Sequence, residues 1–88
     1  MIIEIHVKGL PGIAVKAANN LMEHAQARGY VVRINEAAQG IQQGDGWFAL
    51  DCGNKGRVQA ETEISRLIEG ISASECLKIG ESGSLDPN

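Results

Sequence analysis

The sequence predicts an α+β fold: a two-layer sandwich with the element order βαββαβ, in which two helices cover one face of a four-stranded antiparallel sheet. Three observations carry this. The apolar residues alternate with period two in some stretches and recur at i, i+3, i+4, i+7 in others, in the order strand, helix, strand, strand, helix, strand. Glycines mark the changes of period, at Gly9 and Gly12, Gly29, Gly53 and Gly56, and Gly70. The chain has 88 residues, enough for one domain and one core.

A chain of this length buries somewhat over ~60% of its extended surface, so it folds alone with little margin. Hydrophobic residues make up 43% and aromatic residues only 3%, so the core must be built from Ile, Val, Leu and Ala. The net charge of −3 and pI near 5.2 argue against a general polyanion binder, which carries a basic stripe. A local basic patch stays open. No apolar run approaches the ~20 residues of a membrane helix. The start, Met1-Ile2-Ile3-Glu4, has no basic n-region and is not read as a secretion signal. Cys52 and Cys76 form neither a CxxC nor a zinc pattern. The expectation is a cytoplasmic protein with reduced thiols, without metal, cofactor or membrane contact.

The first strand spans residues 1–8. Ile3, Ile5 and Val7 face one way, and Glu4, His6 and Lys8 the other. Gly9-Leu10-Pro11-Gly12 breaks it. Residues 13–28 then read as a helix, with Ala14, Ala17, Ala18, Leu21 and Ala25 on one face. Gly29 is expected to end it in the left-handed conformation, with Tyr30 making the accompanying apolar contact. The second strand, 30–36, turns Tyr30, Val32 and Ile34 inward and Val31, Arg33 and Asn35 outward. Residues 37–46 hold three glycines and an Asp-Gly, and are expected to be a long, mobile hairpin connection.

The third strand, 47–52, holds the one Trp and the one Phe. Phe48, Leu50 and Cys52 share one face; Trp47, Ala49 and Asp51 share the other. Gly53-Asn54-Lys55-Gly56 is a turn, with Asn54 as the expected cap of the next helix. In residues 57–69, Ala60, Ile64, Leu67 and Ile68 lie on one face, continued by Ile71. Gly70 is expected to end this helix as Gly29 ends the first. After Ser72-Ala73-Ser74, residues 75–79 form a fourth strand, with Leu77 and Ile79 inward and Cys76 and Lys78 outward. Residues 1–79 thus form one domain, and 80–88 a flexible tail with too little apolar surface to order.

Two helices against a sheet in this order give a sandwich of the ferredoxin-like type. In that topology strands one and three are central neighbours, which places His6 near Trp47 on the helix-free face. That face collects Glu4, His6 and Lys8, Arg33, Trp47 and Ala49 with Asp51, and Cys76 and Lys78. Isolated exposed apolar residues are ordinary, but Trp is enriched where partners dock. Cys76 beside His6 on adjacent strands would make a reactive pair. His24 lies on a helix covering the other face, so the two histidines do not converge.

Ile5-His6-Val7-Lys8-Gly9-Leu10-Pro11 resembles the first signature strand of RNA recognition motif domains. Gly46-Trp47-Phe48-Ala49-Leu50-Asp51-Cys52 falls where their second signature strand lies. Leu67-Ile68-Glu69-Gly70-Ile71 and Cys76-Leu77-Lys78-Ile79 are similar to that family's second helix ending and last strand. The resemblance implies bases stacked on His6 and Trp47, and phosphates held by Lys8, Arg33 and Lys78. Ala49 stands at the family's main stacking position, and Asp45 where a basic residue opens the second signature. Gly56-Arg57-Val58-Gln59 resembles part of the acylphosphatase signature but follows the third strand rather than the first. Leu10-Pro11-Gly12-Ile13-Ala14 resembles the phosphate loop of fructose-type phosphotransferase IIB domains, with Leu10 in place of their nucleophilic Cys.

These residues favour a small non-enzymatic binding or regulatory module. It would make protein–protein contacts through its open sheet face, to a partner or a second copy, or through the acidic helix face bearing Glu61, Glu63 and Glu69. The alternatives are a single-stranded RNA binder and an acylphosphatase-like hydrolase.

Overall fold

A computed structural model describes residues 1–80 of the chain; apart from Gly80, the predicted tail lies outside the described residues. The elements are β1 (Ile2–Lys8), α1 (Pro11–Ala27), β2 (Val31–Arg33), a 3₁₀ helix (Glu36–Gln43), β3 (Asp45–Asp51), α2 (Arg57–Glu69), a 3₁₀ turn (Ser74–Cys76) and β4 (Leu77–Ile79). The four strands form one antiparallel sheet in the order β2-β3-β1-β4.

Alternation sets the register. Ile3 pairs with Leu50 and Ile5 with Phe48 across β1 and β3, so their side chains meet on the same face. A slip by one residue would turn all of them outward. Against that face α1 lays Ala14, Ala17, Ala18, Leu21 and Ala25, and α2 lays Ala60 and Ile64, in one continuous core. The fold is α+β, compatible with a two-layer arrangement. Phe48, Ile5, Leu21, Leu50 and Ile64 are completely buried, each contributing roughly 1.5–3 kcal/mol of hydrophobic stabilisation.

The end of α1 follows the glycine rule. Gly29 has φ +94°, and the Tyr30 amide donates to Ala25 O at 3.0 Å, the closing bond of a Schellman turn. Tyr30 is buried as a result. The helix begins at Pro11, two residues earlier than predicted, because Pro suits the first helical position.

Elsewhere the structure corrects the sequence reading. The predicted mobile connection at 37–46 is largely a 3₁₀ helix. Asn35 Oδ1 accepts from the Ala38 amide at 3.2 Å at its start, and Ile41 sits in the core. Its glycines serve close packing: a Cβ on Gly46 would fall 2.4 Å from Ala37 O, and one on Gly40 2.1 Å from Asp45 O. The β2 ladder stops at Arg33, so Ile34 is exposed rather than inward. Asn54 does not cap α2, since the helix starts at Arg57 and its cap position is Gly56. Gly70 keeps an ordinary φ of −86°, and the left-handed residue after α2 is Ala73, at φ +64°. Finally, Cys76 belongs to the 3₁₀ turn and not to a strand. The turn breaks the alternation, so Cys76 and Leu77 are both buried, and Cys76 Sγ occupies space that a Cβ on Gly9 would fill.

Candidate functional site

The face of the sheet opposite the helices is built in cross-strand rows. One row runs Val31, Asp51, Ile2; the next Arg33, Ala49, Glu4; the next Trp47, His6, Lys78; and Asp45 pairs with Lys8 at the end. Of the eight residues predicted to form a binding face, Glu4, His6, Lys8, Arg33, Trp47, Ala49 and Lys78 lie together here. Cys76 does not: it is buried in the core on the helical side, away from the face that bears His6.

His6 and Trp47 face each other across β1 and β3. Their rings stack with centroids 6.0 Å apart and an interplanar angle of 16°, within the range of favourable offset pairs. His6 Nε2 hydrogen-bonds Glu4 Oε1 at 3.0 Å. Trp47 is half-buried, not freely solvated, because this stack covers part of it. Ala49 is only 6% exposed. It lies between Glu4 and Arg33 in its row, a small floor beneath longer side chains.

On the β2 side the Arg33 guanidinium donates twice to Asp51 Oδ2, at 2.9 and 3.2 Å. The Gly53 amide donates to Asp51 Oδ1 at 3.0 Å, and this bond, with that of Arg33, holds the Asp51 carboxyl below its ordinary range. Arg33 is more than half exposed, so solvent screens the pair and it adds little to stability. Its main effect is to orient Arg33 along the face. The charges of the face balance: Lys8, Arg33 and Lys78 against Glu4, Asp45 and Asp51.

Asp45, read as part of the 37–46 connection, opens β3 instead, and Ile2 and Gly80 also escaped the sequence reading of this face. Ile2 shares the parity of Glu4 and is 44% exposed, across Asp51 from the exposed Val31. Alternation alone identifies it. Gly80 extends β4, its amide donating to Glu4 O at 2.8 Å. A Cβ there would fall 2.5 Å from the His6 ring, so the glycine makes room for the ring. Nothing in the sequence pattern marks it.

The acidic helix face is less free than its composition suggests. Glu63 Oε1 accepts from Tyr30 Oη at 2.6 Å and Lys55 Nζ at 2.8 Å, and its Oε2 accepts from Arg28 Nη1 at 3.2 Å. Those donors, the Lys55 bond foremost, lower the Glu63 pKa to about 2. Burial, then the Glu63 bond, pushes the Tyr30 phenol up, and Lys55 Nζ lies 4.2 Å from the centre of its ring. Glu61 pairs with Arg57 at 3.1 Å, which occupies the arginine of the acylphosphatase-like stretch. His24 Nδ1 donates to Asn20 O at 2.7 Å, far in the fold from His6. Cys52 is buried, and its thiol pKa is raised by that burial.

Comparison of the chain with protein-family models, curated proteins and solved structures finds no match. Among the described residues no helix is long and apolar enough to cross a membrane.

Proposed function

We propose that this chain is a small non-enzymatic binding module of ferredoxin-like type that makes protein–protein contacts through its open sheet face, with a second copy of itself as the partner. The order β2-β3-β1-β4, in which each helix joins two strands separated by one other, supports the fold reading. The observation that carries the function is the His6–Trp47 stack at the middle of a helix-free face. A large aromatic is the residue type enriched at interface centres, and the charged groups around it suit the polar rim. Exposed Ile2 and Val31 extend the apolar area at one end. The balanced charges favour a partner that also carries both signs, and an identical face meets that condition. Both cysteines are free and buried, and free thiols suit the cytoplasm.

The test is sedimentation velocity of the wild type and Trp47→Ala from about 1 μM to about 1 mM. The proposal expects a concentration-dependent dimer whose dissociation constant rises at least about tenfold in the variant. A wild type that stays monomeric over that range, or a dimer indifferent to Trp47→Ala, would overturn it.

A second reading, single-stranded RNA, is favoured by one observation: Lys8 and Lys78 flank the stacked pair, both exposed and without a carboxylate within salt-bridge distance among the described residues. It requires Trp47 emission to be quenched by single strands, with affinity falling steeply as salt rises. Emission that ignores oligonucleotides at low salt removes this reading.

A further inference from the structure

On the opposite side of the molecule, a groove of about 550 Å³ lies beside α2, with Arg28, just beyond α1, in its wall. It is lined by Arg28, Gln59, Thr62, Glu63, Arg66 and Leu67. The α2 residues fall at i, i+3, i+4, i+7 and i+8, which is one helical face. That face is polar apart from Leu67, where a stripe turned toward a neighbouring helix is normally apolar.

Its charge is decisive. The one carboxylate in the lining, Glu63, already accepts from Tyr30, Lys55 and Arg28. Those partners bring two cations to one anion, and Arg66 adds a third. Arg66 has no carboxylate within salt-bridge distance among the described residues. Its other side borders Glu61, which is paired with Arg57, and Glu69. With Lys55, which pairs with Glu63 from outside the lining, and Glu69 both counted, the local charge is net positive in a chain whose net charge is −3. The volume falls within the usual range for small-molecule sites. Guanidinium forks match the oxygens of phosphate and carboxylate groups, and Thr62 and Gln59 supply neutral donors.

We propose that this groove binds a small dianionic oxyanion, a phosphate ester or a dicarboxylate, held between the Arg28 and Arg66 guanidinium groups, with Gln59 and Thr62 donating to the remaining oxygens. The site is independent of the open sheet face. Arg66 is the residue to test, because Arg28 also holds Glu63 and its loss would disturb the Tyr30 contacts.

The experiment is an amide NMR titration with inorganic phosphate, pyrophosphate and succinate, each at ionic strength held constant with sodium chloride. The expected result is saturable shifts at Gln59, Thr62, Glu63 and Arg66, with affinity on the order of tenfold weaker in Arg66→Gln, partly kept in Arg66→Lys and unchanged in Arg57→Gln. The anion that binds more tightly identifies the ligand class. An amide spectrum that keeps its wild-type shifts outside the groove in each variant establishes that the fold is intact. Shifts that never saturate, an affinity indifferent to Arg66→Gln, or equal weakening by Arg57→Gln would overturn the proposal.

Discussion

Phe48 and Trp47 are neighbours in one strand, and they belong to different problems. Phe48 is completely buried in a core to which both helices and the sheet contribute. Trp47 leans on one imidazole and is otherwise edged by charged groups. The covered side also binds its polar groups inward. There the Tyr30 hydroxyl, the Lys55 ammonium and the Arg28 guanidinium all converge on Glu63, joining the end of α1, the approach to β2, the turn before α2 and α2 itself. On the open side the polar contacts stay within the sheet and its adjoining turn: Glu4 with His6, Arg33 with Asp51 and Asp51 with Gly53. One side of the sheet spends its chemistry on stability, and the other leaves it at the surface.

Substitutions on the two sides should therefore differ in kind as well as in size. The largest effect is expected for Phe48→Ala, about 3–5 kcal/mol of unfolding free energy by urea denaturation, enough to unfold a chain of this size under mild conditions. Next comes Glu63→Gln, about 1–2 kcal/mol, since three donors lose a charged acceptor that is still partly solvated. This effect has a pH signature. The folded pKa of Glu63 is lowered from 4.5 to about 2, so its contribution is fully present above the ordinary carboxylate value. It fades as pH falls through that interval. Glu63→Gln should flatten the stability–pH curve there, and an unchanged curve would mean that the network contributes nothing.

Trp47→Ala sharpens the comparison. Its stability loss should be no more than about 1 kcal/mol, for a half-covered ring and one stacked pair, while self-association weakens. A loss comparable with that of Phe48→Ala would make Trp47 a core residue and erase the distinction between the faces. The smallest effect is expected for Gly80→Ala. The added Cβ displaces His6, whose ring is the mobile end of a side chain, at a stability cost below about 1 kcal/mol. Loss of the stack should appear as a red shift of Trp47 emission with the melting temperature nearly kept.

The sequence made the strands and helices legible wherever one face is buried, because burial writes a period into the chain. β1, β3 and α2 follow their apolar pattern closely. From the strand parity came seven of the eight proposed face residues, and from the expected pairing of the first and third strands the proximity of His6 to Trp47. The failures have a common cause. In residues 36–43 and 74–76 the chain takes 3₁₀ turns, which leave no clear period. There the glycines Gly40 and Gly46 read as freedom when they serve close packing, and the turn removes the strand parity that the pattern implies for Cys76. The Glu63 cluster was illegible for another reason. Arg28, Tyr30, Lys55 and Glu63 are separated by up to 35 positions, and only the fold brings them together.

The most direct test of the central claim is the emission of Trp47 recorded from about 1 μM to about 1 mM protein at low salt. With a single Trp in the chain, the signal reports on this face alone. The account predicts a blue shift on concentration, coincident with dimer formation, as a second copy excludes water from the His6–Trp47 stack. Emission that stays constant over the whole range would contradict it.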